Sequence, residues 1–163
     1  MVSALIASKN VAEGITAVAG IRGAQLVVAG DGPLRSDLQK LAGELLPGRY
    51  RQLTVPAADM PALYRSADAF MHLSTDESFG NVFVEAMASG LPVVAYDMPR
   101  TRWIIGDRAF FADQPRPESL AAAVSAALDV GSGAAADVRE RAQQFGWSAI
   151  AARYNDFFSE LLQ

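Results

Sequence analysis

The sequence predicts an α/β fold: an open, doubly wound parallel sheet with helices on both faces. Three observations predict it. Runs such as "AQLVVAG" (24–30) and "LPVVAYD" (91–97) are almost continuously apolar, as strands covered on both faces are. They alternate along the chain with segments of helical period. The connections are tight, and parallel strands need crossovers, which the intervening helices supply.

The elements follow in order. "VSALIA" (Val2 to Ala7) reads as a short strand. Val11, Ile15, Val18 and Ala19 then recur at helical spacing. "AQLVVAG" is a buried strand ending in glycine. "GPLRSDLQKLAGELL" is a helix with Leu34, Leu38, Leu41 and Leu45 on one face and Pro33 in its first turn. "RQLTVP" is a weak strand, "MPALYRSA" a short helix and "AFMHLS" a further strand. The loop "STDESFG" leads into a helix beginning near Gly80 or Asn81. "LPVVAYD" and "AFFAD" are strands, and "PESLAAAVSAALD" is an alanine-rich helix with Pro117 near its start. The core thus spans about residues 1–130. Two more helices are expected, Ala134 to Phe145 and Trp147 to Leu162. They carry Trp147, Tyr154, Phe157 and Phe158, more aromatic surface than an exposed helix needs, so they are expected to pack on this domain or on another.

Composition narrows the function. The chain has 163 residues, 51% hydrophobic and 20% charged, an ordinary globular composition for one domain. The net charge of -4 gives no basic footprint for nucleic acid. A local cluster of backbone N–H groups can still bind an anion. There is no cysteine, which removes disulfides, thiolate catalysis and cysteine zinc sites and fits a reducing cytoplasm. His72 is the only histidine, so no multi-histidine metal site exists and no metal is expected. No apolar run approaches the roughly 20 residues that span a bilayer, and no signal-peptide pattern opens the chain. The expected location is cytoplasmic, or peripheral to a membrane in a full-length protein.

Ligands of open α/β sheets sit at the carboxyl ends of the strands. "STDESFG" lies at such an end and runs into a helix whose first N–H groups lack internal partners and carry partial positive charge. Gly80 lets a ligand approach the backbone. An anion site, most simply for phosphate, is expected at Phe79, Gly80, Asn81 and Val82. Glu85 follows one turn later among Val82, Phe83, Val84, Ala86, Met87 and Ala88. Burying a carboxylate there is costly without partners, and the hydroxyls of a sugar or ribose would supply them. The competing reading puts Glu85 at an exposed edge or beside a cation. His72 reads as a packed, hydrogen-bonded histidine, Asp31 as a turn residue, Asp68 as a cap or turn before a strand, and Trp103 as core.

"DESFGNVFVEAMASGLPVVAYD" (76–97) resembles the signature of family 4 retaining glycosyltransferases, which have the GT-B fold. Glu77 and Glu85 meet its E-x7-E spacing, and "EAMASGLPVVA" is a close match. "LVVAGDGPLRSDLQKLA" and "MPALYRSADAFMHLS" resemble the family's segments upstream, in the right order, so the resemblance covers about residues 5–130. It implies one half of an enzyme made of two Rossmann-like domains: the C-terminal, donor-binding domain over 1–163, without the N-terminal acceptor domain. It implies that Glu85 holds the ribose, that Glu77 contacts the donor sugar, and that backbone N–H groups at Phe79, Gly80 and Asn81 hold sugar or diphosphate. Gly30 and Gly32 would lie near the nucleotide, and Val55 and Pro56 would line the base pocket. Lys9 in "ASKN" matches the diphosphate lysine, whose charge would offset that of the leaving group. The family's arginine about five residues earlier is absent, for Ser3 and Ala4 stand there. The Gly-Gly turn and glutamate after "VVAYD" are replaced by "MPRTRWII". Arg100 or Arg102 is a candidate for the missing charge, against a solvated role or pairing with Asp97 or Asp107.

The function implied is transfer of a sugar, with retention, from a UDP-, GDP- or ADP-type donor to an acceptor hydroxyl, with no cofactor required. The isolated domain is expected to turn over poorly. The alternatives are a non-catalytic nucleotide-sugar-binding module and a GT-B-type nucleotide-sugar epimerase. A dehydrogenase is disfavoured, because "GDGPLRS" gives only the first two glycines of the dinucleotide fingerprint.

Overall fold

The structure, a computed structural model, describes residues 1–107, 109–114 and 116–162. Its strands are β1 (Leu26–Ala29), β2 (Tyr50–Leu53), β3 (Phe70–Met71), β4 (Val93–Tyr96) and β5 (Phe110–Ala112). Its α-helices are α1 (Val11–Ala19), α2 (Arg35–Leu45), α3 (Met60–Arg65), α4 (Asn81–Ala88), α5 (Pro99–Ile105), α6 (Pro117–Val130), α7 (Ala135–Gln143) and α8 (Trp147–Leu161). Every strand pair is parallel, as the alternation of periods predicts.

Helices cover both faces because β4 is apolar at every position. Val93 and Ala95 join a core with Phe83, Met87, Ile104 and Val138, under α4, α5 and α7. Val94 and Tyr96 join the other core with Ile15, Val18, Leu120 and Val124, under α1 and α6. Successive side chains of a strand point to opposite faces, so one uniform run serves both.

Two expectations need correction, and a segment left without an element gains one. The opening segment does not form a regular strand. Met1 to Leu5 runs beside β1, with Ser3 N–H donating to Ala29 O (3.0 Å) and Leu5 N–H to Asp31 O (2.9 Å), but only Val2 forms a bridge. The chain then winds into one 3-10 turn, Ala7–Lys9, which ends at Asn10 in the left-handed conformation (φ 51°). A strand there would carry Ser8 and Lys9 past the loop they meet. Secondly, the sheet is divided: among the strands of the described residues β1 pairs only with β2, and β3, β4 and β5 form a separate group. In addition, "PRTRWII" is a helix, α5. Pro99 occupies its first turn, and the Thr101 hydroxyl accepts from Met98 N–H (3.1 Å) and donates to Tyr96 O (2.6 Å).

The two tail helices form within two residues of their expected bounds, but they differ in packing. α7 lies on α4, with Arg139 reaching Ser89 O (3.3 Å) and Arg141 reaching Ile104 O (3.0 Å). α8 buries none of its residues, so of the two packings expected for it, the one on this domain is not found. Phe158 stacks on Tyr154 and meets Phe157 edge-on instead. Among the described residues no single helix is long and apolar enough to cross a membrane.

Candidate functional site

The loop from Ser74 to Gly80 connects the end of β3 to α4, and three groups hold it, two of them distant in sequence. Lys9 is the first. Its Nζ donates to Ser74 Oγ (3.1 Å), to Asp76 O (3.1 Å) and to Glu77 Oε1 (2.5 Å). Thr75 N–H reaches Ser8 O (3.2 Å), and Asn10 Nδ2 reaches Leu73 O (2.9 Å). The 3-10 turn at Ala7–Lys9 therefore exists to put this short segment under the loop.

His72 is the second. It is 1% exposed, with its ring between Phe70 and Phe83. Its Nε2 lies 2.9 Å from Glu77 Oε1, so Nε2 carries the proton and donates. Burial pushes His72 below the ordinary histidine value, against the pull of Glu77. The ring is therefore neutral near pH 7, and Nδ1 presents a bare lone pair that no group meets among the described residues. The packed, hydrogen-bonded reading of His72 holds.

Arg100, from the first turn of α5, is the third. It donates to the carbonyl oxygens of Glu77 and Thr75, the latter at 3.3 Å. It is neither solvated alone nor paired with a carboxylate. Arg102 does take that part, with Asp97 at 2.5 Å and Asp107 at 3.6 Å. Glu77 thus sits among Lys9, His72 and Arg100. Burial alone would push its carboxyl up, but Lys9 and His72 outweigh that and hold it below its ordinary value.

Gly80 caps α4 with φ 92°, a left-handed conformation that suits glycine. A Cβ there would meet the Phe83 ring at 2.8 Å. No side chain caps the helix, and Phe83 N–H turns back to Gly80 O (2.9 Å). The N–H groups of Asn81 and Val82 are the donors offered to an anion. The Phe79 side chain is committed elsewhere, edge-on to Trp103 (6.1 Å) and Phe145 (5.5 Å), so only its backbone is on offer. Trp103 is 60% exposed on the outer side of that cluster and is not core.

Glu85 departs from expectation. It is exposed on the solvent side of α4, so no burial cost has to be met. One of its oxygens is nevertheless fixed: Tyr64, 4% exposed, donates to Oε2 at 2.7 Å. Burial and the Glu85 carboxylate both raise the Tyr64 pKa, so its hydroxyl remains a donor at any ordinary pH. The other oxygen is free to accept from a ligand.

The remaining candidates line the same end of the fold. Gly30 and Gly32 follow β1. Asp31 between them is the expected turn residue, its Oδ1 taking Gly32 N–H (2.9 Å) and Arg35 (3.0 Å). Val55 and Pro56 lie beyond β2, ahead of a 3-10 turn at Ala57–Asp59. Asp68 lies exposed in the bend before β3. The structure unites Lys9 with Glu77 directly; it records no contact joining either to Gly30, Gly32, Val55 or Pro56. His72 and Tyr64 are the partners that residue-by-residue reading missed as site components, whereas Arg100 was one of the two candidates for the missing charge. The signal for Tyr64 and His72 was present, in polar atoms within otherwise apolar segments.

The site belongs to a recognisable protein class. Residues 1–145 match the family model described as "Glycosyl transferases group 1". The phosphatidyl-myo-inositol mannosyltransferase of Mycolicibacterium smegmatis is 34% identical over 137 residues, 79% of this chain and 35% of that protein. The alpha-monoglucosyldiacylglycerol synthase of Streptococcus pneumoniae is 36% identical over 106 residues, 64% of this chain and 24% of that protein. The chain therefore spans about a quarter to a third of the length of these relatives. Among solved structures, Staphylococcus aureus TarM, in a complex containing UDP, superposes with a TM-score of 0.84 at 16% identity, covering 96% of this chain and 34% of TarM. Anabaena HepE, in complex with UDP, gives 0.78 at 26% identity, with 98% and 46% covered. On the family match, and with parallel strands alternating with helices, the chain belongs to the group 1 glycosyl transferases and has the α/β fold of GT-B enzymes.

Proposed function

We propose that this chain is the C-terminal, nucleotide-sugar-binding half of a family 4 retaining glycosyltransferase. The observation that carries the reading is the Lys9–Glu77 pair, set in the loop immediately ahead of the open helix start at Gly80 and Asn81. The amides of Asn81 and Val82, with that of Gly80, receive the diphosphate. Glu77 faces the donor sugar, and the free oxygen of Glu85 accepts from the ribose. Gly30 and Gly32 let the nucleotide lie close to the backbone, and Val55 and Pro56 edge the base. Two named structures of the same fold contain UDP, which makes UDP the first nucleotide to test.

The ammonium of Lys9 has three N–H donors and the ligand-free fold uses all of them. A diphosphate must therefore displace the Ser74 hydroxyl or the Asp76 carbonyl from Lys9, or be felt by charge alone. Arg100 places a second positive charge on the same loop, where the segment before Lys9 has no arginine. These cations stabilise charge that develops on the departing diphosphate. Transfer to an acceptor hydroxyl requires a second domain, so this chain alone binds donor and turns over slowly.

Calorimetry with UDP, GDP and ADP tests the reading. The wild-type chain is expected to bind one of the three, and Glu85→Gln to bind it about tenfold more weakly, near the 1.4 kcal/mol of one lost charged hydrogen bond. Tyr64→Phe frees the second oxygen to wander and is expected to cost about threefold. Equal affinity of Glu85→Gln and wild type removes Glu85 from the site. Tight nucleotide binding with no transfer after an acceptor domain is supplied would favour a non-catalytic binding module.

A further inference from the structure

Among the described residues, the Glu77 side chain is held at one oxygen. Lys9 Nζ and His72 Nε2 both bond Oε1, at 2.5 and 2.9 Å. Arg100 holds the backbone of the same residue through the Glu77 carbonyl. Oε2 accepts from none of these groups and is not buried. A carboxylate has lone pairs for about four hydrogen bonds, so the capacity left for a ligand lies mainly on Oε2.

The two donors on Oε1 do different work. An ammonium is a compact charge on a flexible stem, so Lys9 attracts the carboxylate without aiming it. It also serves Ser74 and Asp76. The His72 ring is fixed. It lies parallel to the Phe70 ring (6.2 Å, 9°) and perpendicular to the Phe83 ring (5.1 Å, 85°), so its Nε2–H has one direction. Phe83 in turn lies against Gly80, where a Cβ would meet its ring at 2.8 Å. The packing that seats the start of α4 therefore also sets the direction from which Glu77 is held. The rest of the strand segment here is apolar: Phe70, Met71 and Leu73 flank the histidine. Its Nδ1 is buried with no partner among the described residues, which costs stability. An apolar side chain would fill the place without that cost. What the histidine adds is the bond to Oε1.

We propose that His72 is a positioning residue for the donor sugar: by holding Oε1 of Glu77 from a fixed direction, it presents Oε2 to a hydroxyl of the sugar ring. The proposal rests on the reading of Glu77 as the group that faces the donor. Protonating the ring would add an N–H at Nδ1 with no acceptor among the described residues. His72 thus aims Glu77 and does not exchange a proton with it.

Calorimetry on the 163-residue chain tests it, with UDP against UDP-glucose and UDP-N-acetylglucosamine, and GDP against GDP-mannose. His72→Leu is expected to lower affinity for the sugar nucleotide about tenfold while affinity for the matching nucleoside diphosphate stays within about twofold. His72→Gln places an amide nitrogen near the Nε2 position and is expected to bring the sugar nucleotide back to within about threefold of wild type. His72→Asn places its amide near Nδ1, away from Glu77, and is expected not to. Equal losses for both ligands make His72 a packing residue and overturn the proposal. Unchanged sugar-nucleotide affinity in His72→Leu also overturns it. If His72→Leu does not fold, the other two variants decide: equal sugar-nucleotide affinity of His72→Gln and His72→Asn overturns it. A wild type that binds a nucleoside diphosphate but none of the sugar nucleotides overturns it as well. Failure of the underlying reading looks different: the wild type then binds neither class of ligand, and the proposal falls with it.

Discussion

Gly30→Ala is expected to destabilise the fold by about 3 kcal/mol or more, a large share of the stability of a domain this size. A Cβ at Gly30 would lie 1.8 Å from Ser3 O and 2.9 Å from Ser3 C. These are backbone atoms and cannot rotate aside. Ser3 is itself held by its N–H to Ala29 O, and Leu5, fully buried, follows two residues later. Alanine must therefore lift the Met1–Leu5 segment off β1 and draw Leu5 from the core. Gly32→Ala meets Leu5 N and O at 2.8 and 2.7 Å and should act in the same direction. Gly43→Ala is the control. It lies within α2 with nothing near its Cβ, and should stabilise by about 0.5 kcal/mol or more. Thermal melting separates them: a fall of roughly 6–12 °C for Gly30→Ala against a small rise for Gly43→Ala. If Gly30→Ala melts with the wild type, close packing of the opening segment on β1 is refuted.

Lys9→Met carries the second large effect. The substitution keeps an unbranched side chain and removes three hydrogen bonds and a charge. Glu77, with a side chain 19% exposed, is left with His72 alone. Stripping one partner from a largely buried pair should cost about 1–3 kcal/mol. Affinity for a nucleoside diphosphate should fall at least tenfold, while affinity for the matching nucleoside holds, since only the diphosphate senses the charge. Equal losses for both ligands would make Lys9 a structural residue only.

The acid limb gives an independent reading. In the wild type the Glu77 carboxyl titrates below its ordinary value of 4.5. As pH falls, the unfolded chain takes up the proton first. The stabilisation is therefore complete above about 4.5 and is lost as pH drops through the folded value. Without Lys9, burial pushes the carboxyl up and this loss shrinks or reverses. The stability gap between the two proteins should be widest near neutral pH and narrow below about pH 4. His72, neutral through burial, adds a loss beginning below 6.5 in both proteins. Denaturant unfolding at several pH values measures the gap; a constant difference from pH 3 to 7 would show that Lys9 does not govern Glu77.

Local sequence determined the class of fold and pointed to the address of the candidate site. Uninterrupted apolar runs such as "LPVVAYD" can be satisfied only by cover on both faces. Helical periods between them leave parallel crossovers as the route. The junction at Gly80 and Asn81 was legible because a left-handed glycine before an apolar helix is a local event. Tertiary structure decided everything that depends on which segments meet. Lys9 finds Glu77 across 68 positions, Arg100 finds the same loop from a helix that the sequence did not announce, and Tyr64 fixes a glutamate that proved exposed. No period or spacing encodes these pairings, because they arise where crossovers return chain ends to a shared edge. The division of the sheet was equally invisible. "VSALIA" has strand composition, but a strand needs neighbours on its edges, and only the folded chain shows that this segment meets β1 through a single bridge.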